Sequence, residues 1–166
     1  MKLVRHLLAI ALLPLTVAVL IPLWIARANR ITLAVGRSPL EIFAQVIGIV
    51  LLAIGVFLFT WSLKRFASEG DGTLAPWDPP RKLVVHGPYR YVRNPMISGV
   101  VFVLFGEAGI LLSPAHVALA VTVLIVNLIY IPLVEEPQLL RRFGDAYSEY
   151  CKHVPRLLPR ARPWQQ

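Results

Sequence analysis

The chain has 166 residues, of which 57% are hydrophobic and 16% charged, with a mean hydropathy of +0.65. Its apolar residues fall into blocks too long for a soluble core, which excludes an ordinary water-soluble domain and places the chain in a membrane. The net charge of +8 is explained by topology and anionic lipid rather than by a nucleic-acid partner, and a single cysteine, Cys151, excludes an intramolecular disulfide.

In chain order, the first apolar block covers approximately residues 7–26. It is longer than the roughly 7–15 residue core of a secretory leader, so it reads as a spanning helix. A second covers 40–63 and is closed by Lys64-Arg65. A polar segment, 64–95, follows. Its SEGDGT and APWDPP stretches break any long helix and predict an ordered loop with fixed turns. Two further apolar blocks cover 96–112 and 115–134. Each block is long enough to cross about 30 Å of hydrocarbon as a helix, the third being short. From Pro137 onward, Leu139, Leu140, Phe143, Tyr147, Tyr150 and Cys151 recur at helical spacing. That predicts an amphipathic helix over 137–152, lying on the membrane surface or against the loop. Prolines and basic residues from Val154 to Pro163 predict an extended segment after it. The expected fold is all-α: one membrane domain over 1–166 with about four transmembrane helices, a cytoplasmic loop and a C-terminal amphipathic helix.

Basic residues orient this arrangement. Fourteen of the lysines and arginines lie near the N-terminus, in 64–93 or after 140, and only Arg27, Arg30 and Arg37 lie on the opposite side. The positive-inside rule then places both termini, the loop and any site built on it in the cytoplasm, with the inner membrane of a prokaryote as the expected location.

Chemistry concentrates where the helices meet water. His86-Gly87-Pro88-Tyr89 turns the backbone sharply and offers an aromatic ring as a wall. Arg93 can fork onto a carboxylate or phosphate, or anchor on headgroups. Glu135-Glu136 stands against an otherwise basic surface, either as a helix cap or a salt bridge to Arg90 or Arg93, or as the holder of a cationic ligand group. Within the membrane, Glu107 is expected to near the far interface and to snorkel or bond a neighbour, and Asn127 to join helices. Gly99, Gly106 and Gly109 are expected to pack the hairpin around Ser113-Pro114. His6 and His116 are isolated, and no metal is expected.

HGPYRYVRNP, followed by EEPQLLRRFGDAYSEYCKHVPRLLPR, resembles the C-terminal signature of the isoprenylcysteine carboxyl methyltransferase family, which is related to the membrane phospholipid N-methyltransferases. Members carry HG-x-Y-x-x-x-RHP, a helical hairpin, and EE-x-x-L-x-x-x-FG-x-x-Y-x-x-Y; the match covers Leu83 to Pro159. The resemblance implies an integral membrane enzyme that uses S-adenosyl-L-methionine without a Rossmann-like domain. Its implied partners are membrane lipids and a lipophilic small-molecule or lipidated acceptor entering from the bilayer, with no obligate protein partner. It assigns Leu83, Val85, His86, Gly87, Tyr89, Arg93, Asn94, Pro95, Glu135 and Glu136 to the cofactor, and catalysis to Arg93, Asn94 and Glu135. In this arrangement an acidic residue pairs the cofactor's ammonium and Arg93 faces a carboxylate. Gly70-Asp71-Gly72 is similar to a GxG element of the phospholipid enzymes. Two departures bear on the acceptor: Asn94 replaces the usual His, and Ile97 the usual Tyr. Asn cannot act as a base, which favours an already ionised carboxylate, such as that of an isoprenylcysteine-like lipid. The alternatives are a phospholipid amine and a relative that binds lipid without catalysis.

Overall fold

A computed structural model describes residues 11–70, 81–157 and 159–165, with side chains from residue 14 onward, and every regular element among them is helical. In the first, α1, a π-helical stretch (Ala11–Leu20) runs directly into an α-helix (Ile21–Ala28). The first four residues of the predicted 7–26 block lie outside the described residues.

Helix α2 (Pro39–Glu69) starts where its sequence says a helix should. Pro39 occupies the first turn, the Ser38 hydroxyl accepts from the Glu41 amide at 3.2 Å, and the Glu41 carboxylate accepts from the Ser38 amide in return. It passes Lys64-Arg65 and ends only at Gly70, six residues beyond the predicted limit, because no glycine or proline stands in between. Its 31 residues reach about 46 Å, more than the roughly 30 Å of hydrocarbon that a perpendicular crossing needs, and the charged and polar residues from Lys64 to Glu69 make its last turns the end suited to water. The loop therefore begins at Gly70 rather than at 64. The Gly70 carbonyl accepts from the amides of Arg81 (2.8 Å) and Lys82 (3.2 Å), pinning both ends of the segment that includes Asp71 and Gly72, which are outside the described residues.

Helix α3 (Pro95–Leu111) returns antiparallel to α2, and the two are joined through glycines. A Cβ on Gly106 would lie 2.6 Å from the Leu52 nitrogen, one on Gly55 2.7 Å from the Gly99 carbonyl oxygen, and one on Gly109 2.9 Å from the Ala44 oxygen. Backbones this close exclude any side chain and collect dispersion contacts along the whole pair. This corrects the expected partner: Gly99, Gly106 and Gly109 face α2 rather than the hairpin around Ser113-Pro114, because the matching glycines, Gly48 and Gly55, are on α2. At the far end Gln45 Nε2 donates to the carbonyls of Ala34 (2.6 Å) and Ile110 (3.0 Å), tying both helices to the preceding connection.

Helix α4 (Pro114–Tyr130) is capped by the Ser113 hydroxyl, which accepts from the His116 amide at 3.4 Å. Buried His116 is also within 3.2 Å of the Pro22 carbonyl, so it joins α1 to the hairpin turn. Helix α4 does not stop at 134. A π-helical turn (Ile131–Glu135) carries it into α5 (Glu136–Phe143), making one continuous helix from Pro114 to Phe143. Pro132 and Pro137 each lack the amide that an α-helical ladder needs, and the wider turn between them accommodates the missing bonds. Of the four expected crossings, Pro39–Glu69 and Pro114–Phe143 have the length and apolar composition to span a bilayer, while Pro14–Ala28 and Pro95–Leu111 are shorter apolar helices. Phe43, Ile49 and Phe57 on α2, Val126 and Ile129 on α4 and Leu133 on the π turn point outward, a surface suited to lipid.

The predicted amphipathic helix over 137–152 is divided. Gly144 takes φ +54°, a conformation that favours glycine, and separates α5 from α6 (Asp145–His153). The apolar face of this pair packs on the loop: Val85, Tyr147, Tyr150 and Val154 form a buried cluster, and Leu83, Leu139, Phe143, Cys151 and Trp164 close around it. The segment after α6 then runs back along the loop. The Arg93 amide donates to the Pro155 carbonyl (2.9 Å), Arg160 to Tyr91 (3.0 Å) and Trp164 to Arg90 (3.0 Å).

Candidate functional site

The site side of the fold collects the raised end of α2, the loop from 81 to 94, the start of α3, the start of α5, α6 and the segment that follows. Gly87 sits at φ +59° in a 3-10 turn (Gly87–Arg90), and a Cβ there would press on Arg65 Cγ at 3.1 Å and Trp61 Nε1 at 3.2 Å. Glycine thus lets the turn lie flat on α2. That contact brings His86 Nδ1 to 2.7 Å from Glu69 Oε2, while Glu69 Oε1 accepts from Arg65 at 3.2 Å. A carboxylate only accepts, so Nδ1 carries the hydrogen, which leaves Nε2 as the second ring nitrogen of an exposed imidazole.

The acidic pair is divided between two roles. Glu136 accepts from Arg156 Nε at 2.7 Å and from its NH2 at 2.8 Å, and it pairs with Arg93 NH1 at 3.0 Å; the Arg93 and Glu136 side chains are only 12% and 16% exposed. Two arginines therefore consume this carboxylate. Glu135 has no hydrogen-bond or ion-pair partner among the described residues. Its charge is close enough to help hold the Tyr89 hydroxyl protonated, after burial and the neighbouring Tyr150. Arg93 NH1 also donates to Cys151 Sγ at 2.7 Å, so the cysteine expected to be a packing residue is a hydrogen-bond acceptor as well. The Arg93 Nε is buried with no partner among the described residues.

Tyr150 is buried, and its hydroxyl donates to the Tyr89 carbonyl at 2.6 Å. Burial raises the Tyr150 and Tyr147 phenols above their ordinary range, Tyr147 being raised further by Cys151. Val85 and Tyr89 are buried supports, Leu83 packs on the same cluster, and Pro95 is the buried first residue of α3. Asn94 precedes α3 without capping it; its Nδ2 reaches the Arg156 carbonyl at 3.5 Å, while its own carbonyl accepts from the Ser98 amide. The resemblance-derived residues thus gather on one side of the fold, where the Glu135 carboxylate and the buried Arg93 Nε are without partners among the described residues and His86 is exposed. Sequence reasoning missed Glu69, Arg156 and Trp164. The only prior signal for Arg156 was an acidic pair that needed a cation.

Two polar residues of the apolar helices were also read from sequence. Among the described residues one Glu107 carboxylate oxygen is buried with no hydrogen-bond partner, and Asn127 Nδ2 donates within its own helix, to the Val123 carbonyl at 2.8 Å, rather than to a neighbouring one. Among the described residues no group of three or more His, Cys, Asp or Glu gathers as a metal site requires.

Comparison with known proteins gives two matches. A family model described as phospholipid methyltransferase matches residues 43–146, from the first turns of α2 into the start of α6. The phosphatidylethanolamine N-methyltransferase of the fungus Pyrenophora tritici-repentis (strain Pt-1C-BFP) is 32% identical over 140 residues, which covers 78% of this chain and 15% of the relative. The chain spans only that small part of the relative's length. Arg156 and Trp164 lie beyond the family-matched range.

Proposed function

Since the chain belongs to the phospholipid methyltransferase family, we propose that it transfers a methyl group from S-adenosyl-L-methionine to a lipid acceptor where the bilayer meets the cytoplasm. The observation that carries the reading is the division of the acidic pair. A partnerless carboxylate at Glu135 and a partnerless buried N–H on Arg93 are what the ammonium and carboxylate of an amino-acid ligand require. The chemistry of the donor set therefore fits this cofactor, with Glu135 to hold the ammonium and Arg93 Nε the carboxylate. When bound, the cofactor supplies a sulfonium-activated methyl group.

The chain's own part is alignment, desolvation and proton handling. Glu136 and Arg156 fix the Arg93 guanidinium, so that its free N–H keeps one direction. The Tyr150 hydrogen bond holds the loop on α6, and the aromatic cluster keeps water from beneath it. A lipid amine arrives protonated and must lose a proton before it attacks. His86, with Nδ1 occupied by Glu69, presents Nε2 for that proton and can pass it to bulk water. The name of the fungal relative supports an ethanolamine-type phospholipid amine as acceptor. The carboxylate reading draws on Asn94, which cannot serve as a base where relatives have His; an ionised carboxylate needs none.

The test is incubation of the purified chain in lipid nanodiscs with methyl-labelled S-adenosyl-L-methionine, followed by lipid extraction. Label in the phospholipid headgroup is expected. Label released as methanol by mild alkali would assign the carboxylate instead. Tight binding of S-adenosylhomocysteine with no label in any lipid would overturn the enzymatic reading.

A further inference from the structure

Two clefts open on the site side, and His86 lines both. The smaller, about 310 Å³, is walled by Ser68, Glu69, Lys82, Leu83 and His86; the larger, about 350 Å³, by Val85, His86, Arg90, Trp164 and Gln165. The larger is bordered by three planar groups, an imidazole, a guanidinium and an indole. Such groups recognise a flat heteroaromatic ring by stacking and by cation–π contact.

Trp164 is held in place before any ligand arrives. Its ring stacks on His153 at 5.3 Å and 13° and lies 5.8 Å from Tyr150. Its amide donates to the Arg90 carbonyl, and its carbonyl accepts from Arg90 Nε. A ring already fixed loses little conformational freedom on binding. Its position also connects with the rest of the site. Tyr150 touches Trp164 and donates to the Tyr89 carbonyl, so the indole, α6 and the turn from His86 to Arg90 form one packed unit.

We propose that Trp164 is a cofactor-binding residue: the adenine ring of the methyl donor lies against its indole in the cleft between residues 85–90 and 164–165, with the donor's amino-acid end at Glu135 and Arg93. This rests on the reading of the site as that of an S-adenosyl-L-methionine-dependent enzyme. It adds that the segment after α6, beyond the residues shared with the family model, completes the binding site.

The experiment is calorimetric titration of S-adenosylhomocysteine into the full chain in nanodiscs, as wild type, Trp164→Ala and Trp164→Phe. Loss of a base-stacking ring should weaken binding by roughly fivefold to a hundredfold in Trp164→Ala, and Trp164→Phe should recover most of the affinity. Wild-type affinity in Trp164→Ala would overturn the proposal and leave the methyltransferase reading standing. Failure of the wild type to bind S-adenosylhomocysteine would overturn both. A second measurement keeps the native indole, in case Trp164→Ala does not fold. With Trp24, Trp61 and Trp77 changed to Phe, the emission of Trp164 should respond to S-adenosylhomocysteine and to adenosine but not to methionine. Emission unchanged by a saturating adenosine ligand would overturn the assignment.

Discussion

Arg156 grips Glu136 with both prongs of its guanidinium, at 2.7 and 2.8 Å, from twenty residues further along the chain. Because Arg93 occupies the same carboxylate, at 3.0 Å, two adjacent glutamates that look equivalent in sequence are not equivalent in space. Glu136 anchors the loop to α5 and to the segment after α6; Glu135 keeps its carboxylate available.

Exchange of each glutamate for glutamine should therefore give opposite results. Glu136→Gln leaves two guanidiniums short of their anion. Its cost should be about 1–3 kcal/mol, below the roughly 3–5 kcal/mol for breaking a fully buried pair because Arg156 is partly exposed. A lowered unfolding midpoint of the unliganded protein measures it. Glu135→Gln should leave that midpoint in place and weaken S-adenosylhomocysteine by roughly tenfold to more than a hundredfold, the effect of losing a charge-assisted bond. Equal effects of the two on ligand affinity would contradict the division of roles.

Asn94→Ala removes the amide that reaches the Arg156 carbonyl at 3.5 Å. A bond this long is weak, so the expected loss is about 0.5–1 kcal/mol of stability, with a slight weakening of cofactor binding. The pH profile of turnover should keep its shape, since an amide does not titrate. A profile displaced along the pH axis, with the same rate-limiting step, would show that Asn94 tunes a neighbouring base.

The α2–α3 contact tolerates no side chain at Gly106, where a Cβ would meet the Leu52 nitrogen at 2.6 Å. Backbone cannot yield as a flexible side chain can. Gly106→Val should therefore cost at least the 1–3 kcal/mol typical of overpacking, seen as reduced folded yield and a lowered unfolding midpoint in detergent. Val126→Leu, on an outward surface, should be neutral in the same assay.

Alkaline stability follows from the buried phenols. Tyr89 and Tyr150 are raised chiefly by burial, and Tyr147 likewise, so the folded state holds their protons more tightly than the unfolded chain does. That stabilisation is complete below the unfolded phenol's pKa, about 10, and is lost as pH rises beyond it. Phenolate absorbance should show a fraction that ionises only together with unfolding. Tyr150→Phe, which removes the 2.6 Å bond to Tyr89, should cost about 1 kcal/mol at neutral pH. Titration of every tyrosine in a protein that stays folded would refute the burial argument.

Orientation is testable with single cysteines in a Cys151→Ser background. Val35→Cys, on the connection before α2, should react with an impermeant maleimide in intact cells. Ser68→Cys, on the raised end of α2, should react only after the cells are opened. The reverse pattern would place the site away from the cytoplasmic cofactor.

Much of the site was legible because its signals are local. The HG turn, the acidic pair and the spacing of Leu139, Phe143, Tyr147 and Tyr150 each fit within one or two helical turns, and they mark the loop, the carboxylates and the buried aromatic face. What escaped depends on register between distant segments. Nothing near Gly99, Gly106 or Gly109 says that their partners are Gly48 and Gly55 rather than the adjacent helix. Gly144 sits inside an unbroken apolar period, and only its φ of +54° reveals the division there. Glu69 was hidden by the assumption that a spanning helix stops at its first basic pair. Pro137 looked like a helix start, but the π turn before it lets the preceding helix continue.

The two hydrogen bonds on the Gly70 carbonyl carry one more consequence. They hold Gly70 beside Arg81, so the path from α2 to His86 is set by that junction and not by the number of residues between the two. Closing a longer excursion costs little, about 0.6 kcal/mol for each doubling of length. The junction works like a splice. A change in the number of residues between Gly70 and Arg81, or an epitope introduced there, should therefore leave the 2.7 Å contact between Glu69 and the His86 imidazole as it is.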